Sequence, residues 1–337
     1  MKIVVFEVEE WEQGAFDSLQ EDHEIEFVAE KLSGENADVY ANAEIISTFI
    51  YSNLSAQVLA NFKHLNLIAT RSTGFDHIDR EYCRGNDIAI CNVPIYGSHT
   101  VAEHVFGLLL TISHHLVEAI DRTRRGDFSL KGLTGFDLRG KTFGVIGTGD
   151  IGASVIEIAR GFGMHVVAYD TKPQDDLADK YGFHYVSLDD LLSCADIISL
   201  HIPANKKTYH FIAQDQFAKM KEGVILINTA RGNIIDIQAL VRAIAVGKVL
   251  AVGLDVLPEE PVIREEAELL RSATQEEYNK ATLLADHILL RLRNVVITPH
   301  SAFNTREAIQ RILDTTVENI SAFTLGQPQN VVSEPEG

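Results

Sequence analysis

Cysteine is scarce: Cys83, Cys91 and Cys194 are the only three in 337 residues, an odd number with no CxxC spacing. That pattern excludes a disulfide framework and a cysteine-built zinc site, and it points to a reducing compartment. Basic residues are also short, since 29 lysines and arginines face 48 aspartates and glutamates for a formal net charge of −19. Such a surface repels phosphate backbones and anionic headgroups, so neither a nucleic-acid partner nor a membrane partner is expected. A small anionic substrate must then be captured by a specific cation, for which one buried arginine suffices. Long apolar runs are missing too. The longest, 105–112, is interrupted by Gly107 and Thr111 and is far too short to span a bilayer. The opening MKIVVFEVEE turns acidic after a β-branched run, so it is expected to be a first strand and not a signal peptide, and the protein is expected to be cytoplasmic.

What is present fits two domains of common size, because a hydrophobic content of 46% over 337 residues exceeds one ordinary core. Short β-branched runs alternate with helical patterns throughout, the signature of parallel sheets wound with crossover helices. Expected strands of the first series are 3–6, 25–29, 45–47, 67–70 and 88–91. A second, stronger series is 142–147, 166–170, 196–200, 224–228, 250–254 and 295–298. Between the two lies one long expected helix, 99–122, apolar on more than one face and therefore covered on several sides, where it joins the domains or meets another subunit. The connection from Asp255 to Val295 is long and rich in charge, yet REEAELL and TLLADHILLRL keep helical periodicity, so an elaborated rim is expected.

The clearest motif is Gly147-Thr148-Gly149-Asp150-Ile151-Gly152, directly after the strand 142–146 and directly before a helical pattern ending near Gly161. The first glycine permits a tight turn, the second lets backbone approach a pyrophosphate, and the third lets helix and strand pack closely. The helix N-terminus supplies unpaired N–H groups for the anion. A second strand, HVVAYD, ends at Asp170, where a carboxylate binds adenosine ribose hydroxyls and repels a 2′-phosphate, so NAD is favoured over NADP.

Ligands of a doubly wound sheet bind beyond the C-terminal ends of its strands, and three later strand ends carry chemistry. They run into Thr229-Ala230-Arg231-Gly232, into Asp255 followed by Pro258-Glu259-Glu260-Pro261, and into Pro299-His300. Reduction of a 2-keto acid needs a cation for the carboxylate, an acid for the carbonyl oxygen and a group that sets that acid's protonation. Arg231 suits the first with its bidentate fork, His300 the second, and Glu260 the third by favouring the imidazolium. His77, His104, His114 and His115 lack HExxH spacing, and no metal is expected.

Taken in order, VIGTGDIG with Asp170, RSTGFDHID, VPIYGSHTVAEH, INTARG, GLDVLPEEP and TPHSAF resemble the D-2-hydroxyacid dehydrogenase family over nearly the whole chain. The resemblance implies an α/β architecture of two doubly wound parallel-sheet domains with a cleft between them. A flavodoxin-like substrate domain would comprise 1–98 plus 300–337, and a Rossmann NAD-binding domain 99–299 with a dimerisation arm near 99–140. It implies a homodimer to which the helix beginning near Val101 contributes. It implies that Arg231 holds the substrate carboxylate with the backbone of Thr73 and Gly74, that His300 is the proton donor and acceptor, and that Glu260 pairs with it. Val101, His201, Pro203, Thr229, Ala230 and Asp255 would join the glycine motif at the NAD site. Within the family the chain is most similar to the D-lactate dehydrogenase branch, through Tyr51, Tyr96 and Phe303, which would wall a small apolar pocket suited to a methyl group. D-Lactate dehydrogenase activity is therefore expected. The alternatives are a dehydrogenase for another small 2-keto acid and an NAD-sensing corepressor-type binding protein.

Overall fold

A computed structural model of the protein describes residues 1–258 and 280–332. Its contacts divide the chain into two compact units, Met1–Gly97 with Asn304–Gly337, and Ser98–Phe303.

The first unit is built on five parallel strands, β1 (Lys2–Phe6), β2 (Glu24–Val28), β3 (Ile45–Thr48), β4 (Leu67–Thr70) and β5 (Ala89–Cys91). Their spatial order is β2-β1-β3-β4-β5, the flavodoxin-like arrangement. Side chains alternate across a strand, so Ile3, Val5 and Ile45 enter one apolar layer while Val4, Phe6 and Ile46 enter the other. Both faces of β3 and β4 are buried, which is why those strands read as unbroken apolar or small runs.

In the second unit seven parallel strands form one sheet: β6 (Thr142–Ile146), β7 (His165–Tyr169), β8 (His184–Tyr185), β9 (Ile197–Leu200), β10 (Val224–Asn228), β11 (Val249–Leu254) and β12 (Val295–Ile297). The order β12-β11-β10-β9-β6-β7-β8 reverses between β6 and β9, the Rossmann switch point outside which ligands bind. Its helices include α1 (Ser98–Ser113), α2 (Leu116–Arg124), α3 (Asp150–Gly161), α4 (Ile237–Ala245) and α5 (Lys280–Leu289). Helix α5 carries the periodicity of TLLADHILLRL, while REEAELL lies outside the described residues. In the first unit α6 (Arg306–Thr324) lays Leu313 and Ile320 on the layer holding Ile3 and Leu67, after Thr305 caps it by accepting from the Ala308 amide.

The single helix expected over 99–122 is two. His115 takes a left-handed φ of 52°, and the freed Ser113 carbonyl accepts from the Phe136 amide at 3.1 Å. A returning segment therefore ends α1, and no local pattern announces it. Helix α1 is covered on several sides, as its apolar faces require: it packs on α3 and on β10 and β11, with Gly253 making room for Leu108. Helix α2 buries nothing, and Leu116, Val117 and Ile120 stay exposed beside Phe128 and Leu130, which are 79% and 81% exposed. No helix among the described residues is long and apolar enough to cross a membrane.

Candidate active site

At the end of β6 each glycine of the motif has a separate physical reason. Gly147 has φ of +95°, and a Cβ there would lie 2.6 Å from the His201 carbonyl oxygen. A Cβ on Gly152 would lie 2.0 Å from the Gly147 carbonyl oxygen, so any side chain would push α3 off its strand. Gly149 has open space where its Cβ would be and stands as N-cap of α3, leaving the first amides of that helix turned toward the opening. Across the turn, the Asp170 carboxylate accepts from the Thr148 amide at 2.7 Å, the Thr148 hydroxyl at 2.9 Å and the Lys172 amide at 2.8 Å. Since Thr148 gives its proton to Asp170, the Tyr185 hydroxyl, 2.9 Å away, donates to Thr148. Burial alone would raise the Asp170 pKa, but the hydrogen bonds from Lys172, Thr148 and Thr171 outweigh it and hold the carboxyl below its usual range. The group is a fixed anion at the end of β7.

Three neighbouring strands bring the proposed chemistry together. Asn228, Leu254 and Ile297 are in register across β10, β11 and β12. Arg231, Asp255 and His300 therefore leave the same edge of the sheet, with the ends of β10 and β12 roughly 10 Å apart at ordinary strand spacing. Asn228 locks the first exit by donating to the Arg231 carbonyl at 2.9 Å and accepting the Ala230 amide at 3.0 Å. Gly232 is required next, because a Cβ there would lie 2.2 Å from the Leu257 backbone. Arg231 is half-buried, and its Nη1 donates to the Ala230 carbonyl at 2.8 Å. The Thr229 hydroxyl is buried on the same loop with no hydrogen-bond partner among the described residues.

His300 stands in the left-handed region at φ of 53°, a strained conformation for a residue with a side chain. Asp255 enforces it. That buried carboxylate accepts from the Thr298 hydroxyl at 2.5 Å and from the Ser301 and Ala302 amides at 2.8 Å each, so it clamps the turn on both sides of His300. His104 on α1 completes the clamp, its Nε2 lying 2.9 Å from the Thr298 hydroxyl and 3.5 Å from Asp255. Burial would raise the Asp255 pKa, yet the bonds from His104, Thr298, Ala302 and Ser301 hold it low. Asp255, expected from the resemblance at the NAD site, holds the His300 turn in this structure. His104 was missed in that role, because nothing local connects it to Thr298. Glu260 lies outside the described residues.

In the first unit, the Ser72 carbonyl accepts from the Val93 amide at 3.0 Å, and the Thr73 carbonyl from Asn92 at 2.8 Å. A trans peptide points its N–H opposite its carbonyl, so both anchors turn the Thr73 and Gly74 amides away from Asn92 and Val93. Neither amide meets an acceptor among the described residues. Tyr51 is exposed and edge-on to Phe49 at 5.5 Å, while Tyr96 is half-buried with its carbonyl accepting from Arg311. Phe303, also half-buried, belongs to the second unit, where it follows the clamped turn. Among the described residues, no group of three His, Cys, Asp or Glu side chains is placed to hold a metal.

Two histidines tie the fold to pH. Burial pushes His201, which shares a 2.8 Å hydrogen bond with Ser199 at the end of β9, down to about 3, and burial pushes His77 down to about 4. Both rings are uncharged when folded at neutral pH but take up a proton below 6.5 when unfolded. The stability they contribute is complete above about pH 6.5 and falls as pH drops toward their folded values, by about 1.4 kcal/mol per pH unit for each ring. Urea titrations at about pH 7.5 and about pH 5 should show that loss, and a His77→Asn, His201→Asn double variant should show less of it. Equal pH sensitivity in parent and variant would contradict the assignment.

The profile of the D-isomer specific 2-hydroxyacid dehydrogenase, NAD binding domain, matches residues 106–302. The chain belongs to the D-2-hydroxyacid dehydrogenase family. Among members of that family, D-lactate dehydrogenase of Escherichia coli is 34% identical over 97% of this chain and 98% of its own. The crystal structure of D-lactate dehydrogenase from Aquifex aeolicus, complexed with NAD and lactic acid, is 35% identical with a TM-score of 0.85, covering 99% of this chain and 100% of that one. The pyruvate reductase of Chlamydomonas reinhardtii is 33% identical with a TM-score of 0.88, covering 97% of each chain. As a D-2-hydroxyacid dehydrogenase the protein uses NAD and acts on small 2-hydroxy or 2-keto acids. Its own residues fit that cofactor. Gly149 leaves space for a pyrophosphate against the α3 amides, Asp170 offers a fixed carboxylate to a ribose, and Thr229 keeps a buried hydroxyl with no partner among the described residues.

Proposed function

We propose that this dehydrogenase is a D-lactate dehydrogenase, converting pyruvate, NADH and a proton to D-lactate and NAD. The observation that carries the reading is the register of β10, β11 and β12, which sends Arg231 and His300 off one sheet edge with Asp255 between them. Gly147, Thr148, Gly149, Asp150, Ile151, Gly152 and Asp170 hold the cofactor, with Val101, His201, Pro203, Thr229 and Ala230 alongside. When bound, NADH supplies the hydride to C2 of the keto acid. Arg231 takes the substrate carboxylate with its fork, and the carboxylate donors of the first unit are the Thr73 and Gly74 amides. Anchored this way, the substrate has its keto oxygen fixed for His300, which donates a proton as negative charge develops there. Glu260 favours the protonated ring, and Asp255 sets its position by clamping the turn. Tyr51 and Tyr96 of the first unit and Phe303 of the second are the aromatic residues assigned to the methyl group.

A spectrophotometric NADH assay with pyruvate, glyoxylate, hydroxypyruvate and longer 2-keto acids tests the substrate. Pyruvate is expected to give the highest kcat/KM and D-lactate as product; preference for a longer acid, or L-lactate, contradicts the reading. The exposed apolar side chains Leu116, Val117 and Ile120 of α2, with Phe128 and Leu130 on the segment after it, support a homodimer contact. Light scattering is expected to give twice the chain mass for the parent and the chain mass for a Val117→Asp, Ile120→Asp variant. A parent of single-chain mass rejects the dimer.

A further inference from the structure

We propose that Arg71 and Glu7 are positioning residues that set the two backbone segments, 49–52 and 72–74, on which substrate binding in the first unit depends; this rests on the reading of Thr73 and Gly74 as carboxylate donors.

Arg71 leaves the end of β4 and is 3% exposed. A buried guanidinium must have its donors satisfied from within. Here Nη2 donates to the carbonyls of Phe6 at 2.6 Å and Glu7 at 2.7 Å, and Nη1 donates to the Ser47 hydroxyl at 3.1 Å. Its own amide donates to the Thr48 carbonyl at 2.8 Å. The cation that opens RSTGFDHID is therefore spent inside the protein, where it ties together the C-terminal ends of β1, β3 and β4.

Glu7 is the second half of the device. It stands directly after β1 at a left-handed φ of 54°, a backbone strain that persists only where surroundings enforce it. The Arg71 fork on its carbonyl is one such restraint. Its carboxylate accepts the Phe49 and Tyr51 amides at 2.9 Å each and the Ser52 hydroxyl at 2.5 Å. Ser52 accepts from the Leu32 amide at 2.9 Å, so its single proton is free to go to Glu7. Two amides and one hydroxyl of the 49–52 segment, the Tyr51 amide among them, thus share one carboxylate.

The same guanidinium sits at the root of the other segment. Ser72 donates to the Gly74 carbonyl at 2.6 Å and must therefore accept from Thr70 at 2.7 Å. Thr73 donates from its hydroxyl to the Val93 carbonyl at 2.7 Å. The carbonyls and hydroxyls of 72–74 are engaged, while the Thr73 and Gly74 amides meet no acceptor among the described residues, and the loop is rooted at Arg71. One buried cation and one strained carboxylate so couple the segment carrying Tyr51 to the segment carrying the two amides.

The test measures kcat, KM for pyruvate, KM for NADH and inhibition by oxamate, a pyruvate isostere, in the parent, Glu7→Gln, Ser52→Ala, Arg71→Lys and Arg71→Met. Glu7→Gln and Ser52→Ala keep the side-chain volume nearly unchanged and serve if Arg71→Met does not fold. Pyruvate KM and oxamate Ki are expected to rise about tenfold or more in Glu7→Gln, with NADH KM within about twofold of the parent. Ser52→Ala should move in the same direction, and Arg71→Lys should retain more pyruvate affinity than Arg71→Met. A merely structural role would disturb both substrates together. If the parent reduces pyruvate but Glu7→Gln and Ser52→Ala leave pyruvate KM and oxamate Ki unchanged, or raise NADH KM equally, the positioning role is overturned. A parent that turns over no 2-keto acid overturns the functional reading and this inference with it.

Discussion

His300→Ala is expected to slow pyruvate reduction by on the order of a thousandfold, while NADH binds with little change. Without the imidazole the keto oxygen gains charge with no donor held against it, and water reaching the space is neither oriented nor acidic enough to replace it. The glycine motif and Asp170, proposed to hold the nucleotide, stand at the ends of β6 and β7, four and five positions from β12 in the sheet order, so NADH affinity is expected to survive the loss of this side chain. Asp255 would still hold the backbone turn through Thr298, Ser301 and Ala302, so the loss would be chemical and not a collapse of the loop. Single-turnover kinetics with saturating NADH, alongside a fluorescence titration of NADH, separate the two effects. A variant within a few-fold of the parent rate would remove His300 from the mechanism.

Arg231→Lys should lose about a hundredfold in kcat/KM for pyruvate, although the charge is kept. Lysine offers a point charge where the carboxylate needs two parallel N–H donors, and a charge-assisted hydrogen bond contributes about 1.5–3 kcal/mol. Misdirected substrate also presents its keto carbon poorly, so kcat should fall together with affinity. Asn228 and Gly232 fix the backbone independently of the Arg231 side chain, so the thermal melt should match that of the parent. Arg231→Lys with a parental KM for pyruvate would place the carboxylate elsewhere.

Both predictions draw on strand ends that were legible in the sequence, because a parallel sheet puts its chemistry at one edge and the β-branched runs marked where each strand stopped. The glycine motif was legible for a stronger reason, since each of Gly147 and Gly152 answers a contact that a Cβ would violate. Long-range restraints were not legible. The helix break at His115 depends on the chain returning at Phe136, the His300 clamp joins His104 to Asp255 and Thr298, and the burial of Arg71 depends on the ends of β1 and β3. Strand β8 escaped notice because two residues, His184 and Tyr185, carry no periodicity. Tyr51 could be picked out as an aromatic, but its exposure and its suspension from Glu7 could not.

A crystal structure of the protein with NADH and oxamate tests the central claim most directly. It should show the oxamate carboxylate gripped by both guanidinium nitrogens of Arg231, and the His300 ring within hydrogen-bond reach of the oxygen that mimics the keto group. An inhibitor seated away from these two side chains, with Arg231 turned out to bulk water, would contradict the account.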